Sequence, residues 1–149
     1  NISKEKDTRL VAERLSKLIN LGDFILLTGN LGVGKTTFTK YIINSLQRIN
    51  RQAISEVPSP TFNITNEYQI KKILIKHYDL YRIKNEKELN NLGIQENLKK
   101  QITLVEWPEM VKKLKIKNII SLIFKYNKNY TERYLTIISK NKKLINEFK

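Results

Sequence analysis

Cysteine is absent from this 149-residue chain, proline occurs three times, glycine five times, and histidine and tryptophan once each. Without cysteine there is no disulfide and no thiolate metal site, and a reducing compartment is compatible. No apolar run approaches the roughly 18 residues that would suggest a membrane span. Nothing at the N-terminus, which begins at Asn1, reads as a signal peptide. Acid is scarce as well: 28 Lys and Arg stand against 14 Asp and Glu, a formal net charge of +14. Such a balance attracts polyanions such as RNA. Lys, Ile and Asn are all heavily used, however, and Lys far outnumbers Arg, as a codon bias toward A and T would produce. None of the usual RNA-binding signatures appears. Charge alone therefore names no function.

Hydrophobic residues make up 40% of the chain, ordinary for one globular domain with a single core. There are no internal repeats and no linker long enough to separate domains, so residues 1–149 are read as one unit. The spacing predicts a helix over 4–19 with Ser3 as its N-cap and an apolar face of Leu10, Val11, Leu15, Leu18 and Ile19. After a turn at Gly22-Asp23, "FILLT" reads as a buried strand. Phe38, Tyr41, Ile42, Ile43 and Leu46 then recur at helical spacing. "FNITNEYQI" and "KKILIKHYDLY" read as a β-hairpin, and "NEKELNNLG" as a short helix capped by Asn85 and stopped by Gly93. "QITLVE", "NIISLIFKY" and "RYLTIIS" are further strands, and the tail from Lys140 a short basic helix.

Between the first strand and the following helix stands Gly29-Asn30-Leu31-Gly32-Val33-Gly34-Lys35-Thr36, a complete G-x-x-x-x-G-K-[ST]. The residue types follow from the chemistry. Backbone N–H groups must close around phosphate oxygens, so glycine is needed where a Cβ would block the approach. The helix behind the loop aims its unpaired donors at the same anion. Lys35 can reach the β- and γ-phosphates, and the Thr36 hydroxyl can sit on Mg²⁺. Strand, loop and helix in this order make a phosphate-binding loop, and with it a P-loop α/β fold.

Such a loop needs a carboxylate from a neighbouring strand end to hold Mg²⁺ or orient the attacking group. Glu106, after "ITLV", resembles a Walker B acid with Glu for the usual Asp; the bland alternative is a solvated strand-end carboxylate. Asp79 in "HYDLYR" is the second candidate, sharing a strand face with His77 and Tyr81. His77 alone reads more readily as structural than catalytic, and no further ligands stand near it for zinc. Spacing does not decide which of the two acids orients water. Trp107 is either core or a wall beside the nucleotide. Thr61 in "SPTF" could act as a switch hydroxyl, though spacing alone favours a plain turn residue. No N-K-x-D motif is present, which favours ATP over GTP.

Taken together, these stretches resemble the TsaE (YjeE) family, the small bacterial P-loop ATPases of tRNA threonylcarbamoyladenosine (t6A) synthesis. The residues that carry the resemblance are the loop from Gly29 to Thr37, "SPTF" at 59–62, "HYDLYR" at 77–82, "ELNNLGIQE" at 88–96 and "LVEWPE" at 104–109, in the family's order and spacing. Asn30 departs from the Asp common after the first loop glycine; backbone phosphate contacts do not need that side chain. The resemblance implies a three-layer P-loop fold, with a mostly parallel sheet, antiparallel additions and flanking helices. It implies that Gly29, Gly32, Val33, Gly34, Lys35, Thr36 and Thr37 form the phosphate-binding loop, and that Thr36 and Glu106 hold Mg²⁺. Asp79, Thr61 and Lys35 would serve hydrolysis or its switching, Trp107 would lie beside the nucleotide, and Arg133 would be a late contact.

The same resemblance implies a cytoplasmic, Mg²⁺-dependent ATPase with little turnover alone. It would reset a TsaD–TsaB pair that transfers the threonylcarbamoyl group to adenosine 37, and meet tRNA indirectly, through that complex. Two other classes compete. A small-molecule kinase would ordinarily carry a lid with arginines, whereas this chain has few Arg and no lid-like insertion. A module that binds ATP together with RNA or protein but does not hydrolyse it would draw on the basic charge.

Overall fold

The apolar run of β1 (Phe24–Thr28) becomes the middle of a six-stranded sheet in a computed structural model that describes residues 1–149. The chain order is α1 (Glu5–Ser16), β1, α2 (Lys35–Ile49), β2 (Thr65–Ile70), β3 (Ile73–Asp79), α3 (Glu86–Asn91), β4 (Gln101–Glu106), β5 (Ile119–Tyr126), β6 (Arg133–Ser139) and α4 (Lys142–Asn146). In space the strands run β2-β3-β4-β1-β5-β6. β3, β4, β1 and β5 are mutually parallel, and antiparallel hairpins add β2 at one edge and β6 at the other. The sheet is thus mostly parallel with antiparallel additions, as the resemblance implied.

Both faces of the central strands are covered, which is why β1 and β4 are buried at successive residues rather than at alternate ones. α1, α2 and α4 pack over Ile25, Leu27, Ile75, Leu104, Leu122 and Phe124. On the other face α3 and the segments around it cover Phe24, Leu26, Tyr78, Leu80 and Val105. Alternation along β3 and β4 therefore turns Ile75, His77 and Asp79, and Ile102, Leu104 and Glu106, toward α2. The parallel register sets Asp79 directly beside Glu106.

Several sequence-based expectations shift locally. The first helix is shorter than 4–19, and its N-cap is Lys4 rather than Ser3, with no side-chain cap bond. The Ser3 hydroxyl is engaged elsewhere: it donates to Asn1 Oδ1 at 2.6 Å and accepts from the Arg133 backbone N–H at 2.9 Å. Leu10 is exposed rather than part of the buried face. "FNITNEYQI" joins the sheet only from Thr65, because Ile64 takes a left-handed φ of 64° and Phe62 is left 83% exposed. The strand of "KKILIKHYDLY" ends at Asp79, where the Asp79 carboxylate accepts from Tyr81 N–H and turns the chain. The cap at Asn85 is formed as expected, with Oδ1 accepting from Glu88 N–H at 2.9 Å.

Candidate functional site

The carboxyl ends of β1, β3 and β4 open on one side of the sheet, and the segments leaving them build a cleft of about 430 Å³. From β1 comes the loop with Gly32, Gly34, Lys35, Thr36 and Thr37; from β3, Asp79, Tyr81 and Arg82; from β4, Glu106 and Trp107. The segment between α2 and β2 contributes Ser59 and Thr61.

The loop is shaped by its glycines in two ways. Gly34 caps α2 at φ +110°, a left-handed conformation that L side chains rarely adopt. A Cβ on Gly29 would lie 2.7 Å from the Phe124 carbonyl oxygen, so the first loop glycine is required for packing on β5. No acid stands in the first turn of α2, which leaves the positive end of the helix free for an anion.

Lys35 is only 4% exposed, and its Nζ donates to the carbonyls of Gly29 at 2.7 Å and Asn30 at 3.0 Å, bracing the loop from within. The ammonium also lies 3.9 Å from the centre of the Trp107 ring, a cation–π contact. Burial holds it below the ordinary lysine value, while Glu106, Asp79 and Glu109 act in the opposite sense.

Glu106, 2% exposed, is gripped on both oxygens. Thr36 Oγ1 donates to Oε2 at 2.9 Å, and His77 Nε2 lies 2.9 Å from Oε1. A carboxylate oxygen accepts, so this bond places the imidazole proton on Nε2 and leaves Nδ1 buried without a partner. Asp79 is held differently: Ser59 Oγ donates to Oδ2 at 3.0 Å and Tyr81 N–H to Oδ1 at 3.1 Å. Trp107 follows Glu106 at a left-handed φ of 57° and precedes Pro108; Tyr81 packs against it with the rings tilted by 55° and 4.9 Å between centres.

A Thr hydroxyl and a carboxylate oxygen 2.9 Å apart are hard donors suited to Mg²⁺, which keeps several water or phosphate ligands of its own. For a polyphosphate, the fit lies in the loop: no heavy atom lies within 4 Å of where a Gly32 Cβ would stand.

Of the sequence-derived site residues, the structure gathers Gly32, Gly34, Lys35, Thr36, Thr37, Thr61, Asp79, Glu106 and Trp107 around the cleft. Gly29, Val33 and Arg133 lie outside its lining. Gly29 packs on β5 and Val33 is buried in the core. Arg133 props the loop from behind, donating to the Ser3 carbonyl at 2.9 Å and lying 3.5 Å from that of Val33. Sequence reasoning did not single out Ser59, Leu31 or Arg82 as site residues, and treated His77 as structural. Only the cross-strand placement, invisible along the chain, reveals that His77 touches Glu106.

The sequence model of "Threonylcarbamoyl adenosine biosynthesis protein TsaE" matches residues 2–135. The chain belongs to the TsaE family. The tRNA threonylcarbamoyladenosine biosynthesis protein TsaE of Rickettsia conorii is 35% identical over 141 residues, 95% of this chain and 78% of that relative. The TsaE protein of Rickettsia felis is 38% identical over 113 residues, 76% of this chain but 64% of its own length, just under two thirds. Among solved structures, the crystal structure of Bacillus subtilis YdiB superposes with a TM-score of 0.75 at 25% identity, covering 97% of this chain and 88% of that one.

Trp107 gives this TsaE-family cleft an internal reporter, because it is the sole tryptophan. Adding Mg·ATP is expected to change the intrinsic fluorescence at 295 nm excitation (about that wavelength, selective for indole), as phosphate draws the Lys35 ammonium away from the ring. Titration with adenosine, which lacks phosphate, is the control and should leave the signal unchanged.

Proposed function

We propose that this protein is the Mg²⁺-dependent ATPase subunit of the t6A machinery, slow alone and activated by a TsaD–TsaB pair. In this reading it resets that pair in the cytoplasm rather than modifying tRNA itself. The observation that carries the proposal is the convergence of Lys35, Thr36, Glu106 and Asp79 in one cleft, with Thr36 and Glu106 already in contact.

Each residue then has a definable task. Lys35, released from the Gly29 and Asn30 carbonyls, would neutralise the β- and γ-phosphates. Thr36 and Glu106 would hold Mg²⁺, which supplies charge neutralisation across the phosphates when bound. His77 keeps Glu106 from rotating away. Asp79, held by Ser59 and Tyr81, would accept a hydrogen bond from the attacking water. Thr61, which lines the same cleft, would sense the γ-phosphate.

The test is phosphate release from Mg·ATP by the protein alone and then with TsaD–TsaB. Slow release alone and a clear rise with the pair is the expected result. Binding of ATP with no change on adding the pair would overturn the reading.

A further inference from the structure

The parallel sheet gives the molecule two unlike ends. One carries the cleft. At the other, where β3, β4, β1 and β5 begin and β6 finishes, the connections bring together lysines that are far apart in sequence. The β2–β3 turn supplies Lys71 and Lys72, the entry to β4 Lys99 and Lys100, the entry to β5 Lys117, and the exit of β6 Lys140. All six are exposed, and none pairs with a carboxylate. The acid at these junctions is Asp23, at the entry to β1, whose carboxylate accepts from Asn20 N–H at 2.7 Å. That the connections are neighbours is direct: Gly22 N–H bonds the Gln101 carbonyl, and Phe24 N–H the Asn118 carbonyl.

We infer that this lysine-lined end binds the phosphate backbone of RNA, with tRNA as the natural ligand. A codon bias explains abundant lysine, but it does not explain why each of these junctions except that of β1 carries an exposed one. Four interstrand steps separate β3 from β6, about 19 Å at the usual strand spacing, which is room for several consecutive phosphates. Lysine ammonium groups act as point charges on phosphate and read no base edges, so the contact is insensitive to sequence. The inference draws on the proposed function only for the choice of RNA, since the family's process concerns a tRNA. Because the basic end lies opposite the cleft, RNA and nucleotide can be held at once.

The experiment measures anisotropy of a fluorescent tRNA transcript with the full chain and no nucleotide, from about 50 mM to about 200 mM salt. Binding that weakens steeply with salt is expected. The triple change Lys99→Glu, Lys117→Glu and Lys140→Glu should weaken it by about tenfold or more and lower the salt slope by about 2. A parallel Lys→Gln triple, gentler on folding, should weaken it less but in the same direction. Lys84→Glu, Lys87→Glu and Lys128→Glu, an equal change of charge on the rest of the surface, should have the smaller effect. Equal losses in both Glu triples would show that net charge rather than this end drives binding, and would overturn the inference. So would absence of tRNA binding at low salt, or binding of phosphatidylglycerol vesicles without tRNA. The Trp107 response to Mg·ATP should survive in every variant, so failure here is distinguishable from failure of the ATPase reading.

Discussion

Lys35→Met is expected to lower phosphate release from Mg·ATP by about 10²-fold or more, with or without partner proteins, while the fold survives. The lysine is enclosed, and its ammonium is the positive charge the loop presents from within, whereas the Arg82 of the cleft lining comes from the segment after β3. Stability at neutral pH should change little, because two opposing effects are removed together. The variant loses the hydrogen bonds to Gly29 and Asn30 carbonyls, but also loses a charge that burial disfavours. The pH dependence separates the two effects. A lysine whose pKa is lowered by folding costs stability while both states hold its proton. That cost disappears as pH rises from the lowered value toward the ordinary lysine range. Relative to Lys35→Met, the natural protein should therefore gain stability across that window. Urea unfolding of both proteins at neutral pH and at about pH 10 measures the difference. A variant that still releases phosphate at the natural rate would remove Lys35 from the mechanism.

The second large effect is expected at Glu106. Glu106→Gln keeps the shape: with its amide oxygen toward the His77 N–H, its NH2 donates to the Thr36 hydroxyl, which turns to accept, so folding stability should shift by less than about 1 kcal/mol. Hydrolysis, in contrast, should fall by about 10²-fold, and nucleotide affinity should lose most of its dependence on Mg²⁺. Glu106→Ala should behave differently. It leaves the His77 N–H buried with no partner, so about 1–3 kcal/mol of stability should be lost in addition to activity. Phosphate release, Trp107 fluorescence titrations with and without Mg²⁺, and urea unfolding distinguish the three proteins. Full activity in Glu106→Gln would mean that hydrolysis draws on Asp79 without Glu106, and that the Thr36–Glu106 contact serves the fold.

Much of this site is legible along the chain because phosphate binding is a local problem. Strand, glycine loop and helix are contiguous, so the residues from Gly29 to Thr37 carry both their conformation and the expectation of a phosphate ligand. The helix cap at Asn85 is local in the same sense. Short-range signals failed where a longer-range partner competed: Ser3 bonds Arg133 instead of capping α1, and Ile64, at a left-handed φ outside the strand, gives its carbonyl to the Asp79 N–H. Arg133 is instructive in the other direction. The resemblance named it as a late contact, and the fold puts it behind the loop, against Ser3 and Val33.

The sequence by itself determined the loop, its neighbouring helix and the two acids worth watching, and its family resemblance implied the mostly parallel class of the sheet. Tertiary structure alone decided that those acids are cross-strand neighbours and are held by different partners. Glu106 is locked between Thr36 and His77, whereas Asp79 is restrained by Ser59 and the Tyr81 backbone. It also decided that lysines scattered from Lys71 to Lys140 share one end of the molecule. The reason is the same in both cases. Periodicity specifies which way a side chain faces on its own strand, but strand order and register specify its neighbours, and those follow from packing the whole chain.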